Sequence, residues 1–180
     1  FIRQLLKSNF LGSEIIIPRI IGNLAKTKKW TDYLISVARD KNEPIRIRKY
    51  AIESLGRTKN KNLFKFLIEL LNVERDYEIR QSIINALVYL EDDRSEEILI
   101  KLMKKEESPL RNDIIWALGK LGKPEPIKDL IELLSKSNEK YLLKKNIINA
   151  LGKIANKEAT NILIEILKDQ NSGLEKEALN

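Results

Sequence analysis

The chain has 180 residues, 43% of them hydrophobic and 33% charged, and its 33 Lys and Arg against 26 Asp and Glu give a net charge of +7. It holds neither cysteine nor histidine, which excludes a disulfide framework, a thiolate zinc site, a cysteine nucleophile and the commonest acid–base group; a metal would need an all-oxygen site. No apolar run approaches the ~18 residues of a membrane span and no signal peptide is visible, while the lack of cysteine fits a reducing cytoplasm.

Apolar residues at helical spacing divide the chain into paired helices. The first pair, in residues 1–27, is irregular: Ile17 stands where later copies carry a basic residue, and Pro18 follows it. Its second helix is expected to start at Ile17 or Pro18, or to kink there, leaving Ile15, Ile16 and Ile17 exposed. First helices then follow at WTDYLISVA (30–38), NLFKFLIELL (62–71), SEEILIKLM (95–103), PIKDLIELL (126–134) and ATNILIEIL (159–167). The second helices are RIRKYAIESLG (46–56), EIRQSIINALV (78–88), PLRNDIIWALG (109–119) and LLKKNIINALG (142–152). Their leucine column, Leu55, Leu87, Leu118 and Leu151, advances in steps of 32, 31 and 33. A further step of 31 back reaches Leu24, and one of 31 forward from Ile147 reaches Ala178. We therefore expect a single run over 1–180, with repeats near 1–27, 30–57, 62–89, 95–122 and 126–154 and a truncated copy at 158–180. Opening on Phe and stopping at EKEALN inside a helical pattern, the chain reads as a piece of a longer protein.

At 100° per residue, Leu110, Ile114, Ile115, Leu118 and Leu121 share an arc of roughly 140°, the core face of that helix. Glycine in a helix interior costs ~1 kcal/mol, so Gly56, Gly119 and Gly152 point to close approach of neighbouring second helices. The basic column Arg48, Arg80, Arg111 and Lys144 lies in the first turn on the core side and calls for a carboxylate or loop carbonyls of the neighbouring repeat. Opposite the core, positions four apart stack in a line on each helix: Lys49, Glu53 and Arg57; Gln81, Asn85 and Tyr89; Asn112, Trp116 and Lys120; Lys145, Asn149 and Lys153. The acidic pairs Asp92–Asp93, Glu96–Glu97 and Glu106–Glu107 read as solvated loop charges or favourable charges at helix starts.

The apolar-Arg-x-x-Ala-x-x-Ala-Leu-Gly pattern of the second helices resembles the HEAT-repeat family, in its short bilin-lyase-type form, over nearly the whole chain. The resemblance implies an all-α, right-handed α-solenoid of five to six helix-turn-helix repeats whose second helices line a concave side. It implies that the twelve residues opposite the core form the concave floor, with Trp116 in the groove and Tyr89 about one repeat away. It also implies that Arg48, Arg80, Arg111 and Lys144 act as a structural inter-repeat ladder. Such repeats serve many partners, so the likeness speaks for fold far more than for function.

Three functions compete. The first is a cytoplasmic, non-catalytic scaffold for a protein or peptide: Trp116 is the hot spot, Asn85, Asn112 and Asn149 pair with extended backbone, and Lys49, Arg57, Lys120, Lys145 and Lys153 favour acidic segments. The second is nucleic-acid binding along Lys26, Arg57, Lys120 and Lys153, a basic line interrupted at Tyr89 and by EDDRSEE (91–97). The third is an enzyme. Some relatives by resemblance are DNA glycosylases, for which Trp116 with Asp113 or Glu53 is the nearest constellation. Others form bilin lyases, as enzyme or enzyme subunit, a likeness that rests on the repeat type alone; di-iron hydroxylases of this type need histidine. No cofactor or metal is expected. Uncapped ends would permit end-to-end self-association.

Overall fold

The computed structural model describes residues 2–7, 13–106, 109–135 and 141–168, with the backbone alone at 14 and 167. Within these residues the secondary structure is helical, without strands: α1 (Ile2–Lys7), α2 (Ser13–Leu24), α3 (Lys28–Arg39), α4 (Ile45–Arg57), α5 (Phe64–Val73, entered through a 3-10 turn at Lys61–Leu63), α6 (Tyr77–Tyr89), α7 (Arg94–Lys105), α8 (Leu110–Leu121), α9 (Ile127–Ser135), α10 (Tyr141–Ile154) and α11 (Lys157–Lys168). Glu107, Ala178 and everything after 168 lie outside the described residues. The chain divides into an N-terminal unit, 1–95, and a C-terminal unit, 96–180.

The periodic columns become the cores of these units. Leu55, Leu87, Leu118 and Leu151 are at most 1% exposed, as are Ile52, Ile84, Ile115 and Ile148 one turn earlier. From the first helices, Leu34, Leu67, Leu99 and Leu130 are fully buried against them. Each such side chain contributes about 1.5–3 kcal/mol of burial. In the N-terminal unit α4 packs between α2 and α6; in the C-terminal unit α8 packs on α10.

Glycine sets the spacing of these neighbours. A Cβ on Gly56 would stand 2.5 Å from the Ala86 carbonyl oxygen and 2.6 Å from its Cα, and one on Gly119 would stand 2.8 Å from the Cα of Ala150. Gly22 does the same between α2 and α4, where a Cβ would meet the Cβ of Arg57 at 2.6 Å and the Ser54 carbonyl at 3.0 Å. Gly152 differs: it is exposed, and among the described residues nothing lies within 4 Å of its missing Cβ. The second helix expected after it, beyond residue 168, lies outside the described residues.

Repeat one departs from expectation. α2 begins at Ser13 and carries Pro18 inside it, where the ring removes one backbone hydrogen bond without ending the helix. The earlier start turns Ile17 inward, fully buried, while Ile15 and Ile16 are exposed. Gly22 occupies the place of Gly56, so the leucine column continues at Ile21, which is fully buried, and not at Leu24, which is 48% exposed. A fixed step of 31 misplaced the column because Ile21 and Leu55 stand 34 residues apart, the added length lying within α3, α4 and the loop between them.

The basic column anchors the ends of the first helices. Arg48 donates from Nε and Nη2 to the Ala38 carbonyl at 3.0 and 2.9 Å, and from Nη2 to the Glu74 carboxylate; Arg48 is 5% exposed and Glu74 4%. Arg80 donates to the carbonyls of Leu71 and Glu74, and Arg111 to that of Glu106. These bonds satisfy carbonyls that a helix C-terminus leaves without partners. Where a ladder between repeats was expected, these carbonyl bonds run to the end of each arginine's own first helix, while the Arg48–Glu74 pair crosses to the next repeat. Lys144 is half-buried on α10.

Two of the acids are buried: Asp92, in the loop before α7, and Glu96, which lies in the first turn of α7 as a helix-start charge. Asp92 is 5% exposed and accepts from Arg94 Nε, Nη2 and backbone N at 2.9, 2.7 and 3.0 Å, while the same guanidinium donates to the Lys61 carbonyl and lies over the Phe64 ring. Those side-chain hydrogen bonds from Arg94 hold the Asp92 carboxyl at a pKa of about 2. Glu96 is 7% exposed, with Lys123 Nζ at 3.8 Å. A cation stands by each: the neighbouring Arg94 bonds Asp92, and Lys123, just past the end of α8, faces Glu96.

The second helices α4, α6, α8 and α10 share one further backbone feature. Lys59, Glu91, Gly122 and Ala155 all have positive φ, between 47° and 68°, three residues beyond the column of Gly56, Val88, Gly119 and Gly152. This left-handed residue stops each helix at the same point of the repeat.

Candidate binding faces of the second helices

In the N-terminal unit the polar face of α4 and α6 is largely coupled to itself. Lys49 Nζ donates to Glu78 Oε2 at 2.7 Å. The Arg57 guanidinium lies 3.7 Å from the centroid of the Tyr89 ring, a cation–π stack. Glu53, between them, accepts from the Asn85 amide and the Ser82 hydroxyl. Gln81 donates to the Tyr77 hydroxyl at 3.2 Å. Thus all six expected floor residues of this unit make contacts within the fold, most of them between α4 and α6, and Arg57 joins a packed stack rather than standing in an open basic line.

Glu53 has a consequence for stability. Burial pushes its pKa above the ordinary 4.5, against the opposing pull of the Asn85 and Ser82 hydrogen bonds and the charges of Arg57 and Lys49. A raised folded-state pKa means that the stabilising contribution is complete below pH 4.5 and is lost as pH rises through the folded value. Glu53→Gln is therefore expected to melt about 1–3 °C above the parent at pH 7 and level with it near pH 4. Thermal unfolding across that range checks this; a variant less stable than the parent at pH 7 would show that the carboxylate's bonds outweigh its burial.

The C-terminal unit presents a different face. Trp116 is 37% exposed on α8, with Lys120 Nζ 5.8 Å from its ring centroid. Asn112 Oδ1 accepts from Asn146 Nδ2 at 3.0 Å, tying α8 to α10. Lys145 and Asn149 are half-buried on α10, and Lys120 and Lys153 are exposed. A partly exposed indole with an ammonium group over its ring can cover an apolar group while the cation meets a carboxylate.

Contacts such as Lys49–Glu78 and Asn112–Asn146 were not foreseen, since both partners occupy polar columns with no core periodicity to mark them. On the loop side of the N-terminal unit a crevice of about 350 Å³ is lined by Arg39, Lys41, Glu69, Leu70, Val73 and Glu74, with Arg39 3.6 Å from Glu69. Among the described residues no group of three or more carboxylates is placed to hold a metal ion, and no helix is long and apolar enough to cross a membrane.

Comparison with known families places this arrangement. The model for HEAT repeats matches residues 14–88, 64–142 and 96–180. The chain belongs to the HEAT-repeat family. Among solved structures this HEAT-repeat chain is similar to the complex of CpcE and CpcF of phycocyanin lyase from Nostoc sp. PCC7120, with 20% identity and a TM-score of 0.58 over 99% of this chain and 73% of that one. It is also similar to two engineered proteins at 18% identity, with TM-scores of 0.51 and 0.50, covering 92% and 55% of those chains and 99% and 98% of this one. At such identities the likeness is one of fold. Comparison with curated proteins gives no match.

Proposed function

We propose that this HEAT-repeat chain is a non-catalytic scaffold that holds a protein or peptide partner with acidic segments on the second-helix face of its C-terminal unit, centred on Trp116. The observation that carries this reading is the exposed indole with Lys120 on its ring, on a face where Asn149, Lys145 and Lys153 supply amides and cations. The N-terminal unit's matching face contributes less, because its charges are already engaged within the fold. That the similar phycocyanin lyase structure is a complex of two proteins suits a scaffold role. Against catalysis stands the absence of histidine and cysteine together with the state of Glu53, which is bonded to Asn85 and Ser82.

Titration of the chain with panels of acidic, neutral and basic peptides tests this. Acidic peptides should bind best, and Trp116→Ala should weaken them about 30-fold, the ~2 kcal/mol of a central aromatic, with unfolding unchanged. Affinity unaffected by Trp116→Ala would overturn the site; tighter binding of single-stranded DNA or RNA, lost steeply with salt, would overturn the partner.

A further inference from the structure

The outer flank of α2 is unlike the matching flank of every later second helix. Gly22 faces α4; Ile20, two residues earlier and so about 200° around the axis, lies on the other flank. In later repeats this position is Ser54, Ala86, Ala117 and Ala150, each at most 2% exposed. Three of these seams are closed by the preceding glycine: Gly22 on Ser54, Gly56 on Ala86 and Gly119 on Ala150. On α2 the same position carries Ile20 at 38% exposure, with Ile16 at 43% and Leu24 at 48% one turn to either side, and Ile15 at 64% beside them. The four-residue spacing makes a continuous aliphatic ridge. The ridge continues the series of columns through which second helices pack on one another. The bulk of Ile20 where inner seams have Ser or Ala prevents a close glycine contact, so the surface suits a helix with large apolar side chains at the ordinary separation of ~8–10 Å.

Charge specifies the partner. Residues 1–32 hold six basic residues and two acidic, Glu14 and Asp32, so four of the seven net positive charges fall in this stretch, with Lys28 paired to Asp32 at 2.6 Å. Arg3 and Lys7 are exposed on α1, which packs on α2 and α4; Arg19 is exposed on α2 itself; Lys26, Lys28 and Lys29 follow it directly. A second copy docking through this same face would bring this charge against its like. We propose that the Ile16–Ile20–Leu24 ridge docks an acidic amphipathic helix of a partner protein, its apolar side chains on the ridge and its carboxylates toward Arg19 and Lys26.

The test uses two helical peptides of ~18 residues, long enough to hold a helix, sharing one leucine face and flanked by Glu in one and Lys in the other. Fluorescence anisotropy against the full chain should show binding of the Glu peptide, weakened by salt, and none of the Lys peptide. Ile16→Ser with Ile20→Ser should raise Kd about tenfold or more with unfolding unchanged, since both side chains are exposed, whereas Trp116→Ala should leave it unaltered. The proposal is overturned if the double variant binds the Glu peptide like the parent, or if neither peptide binds. It is equally overturned if phosphatidylserine vesicles and not the peptide engage the ridge, or if the two isoleucines instead support a concentration-dependent dimer.

Discussion

Arg48→Met is expected to lower the unfolding free energy by about 3–5 kcal/mol, because it leaves Glu74 as a buried carboxylate without its cation. Both members are nearly sealed from water, and the guanidinium also serves the Ala38 carbonyl twice over. Adding Glu74→Leu should recover much of the loss, since an apolar pair of similar volume avoids the desolvation of both charges. Urea unfolding of the parent, both single variants and the double variant measures this. A loss below about 1 kcal/mol in Arg48→Met, a value ordinary for an exposed pair, would mean that water reaches the carboxylate.

Gly56→Ala and Gly152→Ala should shift stability in opposite directions although they occupy one column. At Gly56 the new methyl would stand 2.5 Å from the Ala86 carbonyl oxygen and 2.6 Å from its Cα; backbone cannot swing aside as a side chain can, so α4 and α6 must part along their contact. Overpacking of this kind costs about 1–3 kcal/mol or more and outweighs the ~1 kcal/mol by which alanine favours a helix. At Gly152, exposed and with no described residue near the added methyl, the helix preference acts alone and should raise stability by about 0.5–1 kcal/mol. Equal effects of the two changes would show that the close seam at Gly56 relaxes freely.

How much of this was legible in the letters follows from what repetition encodes. Leu55, Leu87, Leu118 and Leu151 announce themselves because burial demands the same residue type in every copy, and the helices around them fall within a few residues of expectation. The phase of the first repeat was not legible: Ile21, Leu24 and Gly22 fit the pattern almost equally well as text, and only the packing of Gly22 on α4 separates them. The polar columns were legible as a surface but not in their use. Glu53 meets Asn85, and Arg57 meets Tyr89, through pairings between different copies that leave no periodic trace. Trp116 stood out because its neighbours in the column are Glu53, Asn85 and Asn149, none of them aromatic. Asp92 escaped notice because its cation, Arg94, is only two residues away in a stretch that reads as a charged loop.

The left-handed stops at Lys59, Glu91, Gly122 and Ala155 act as punctuation written in backbone rather than in composition. Each resets the direction of the chain at the same point of the cycle whatever letter occupies it, so drift in the text between two stops does not accumulate into a loss of phase. Tolerance of that kind explains how copies that agree in little beyond one helix can still keep a common period, and why lengths of 31, 32 and 33 residues coexist in one molecule.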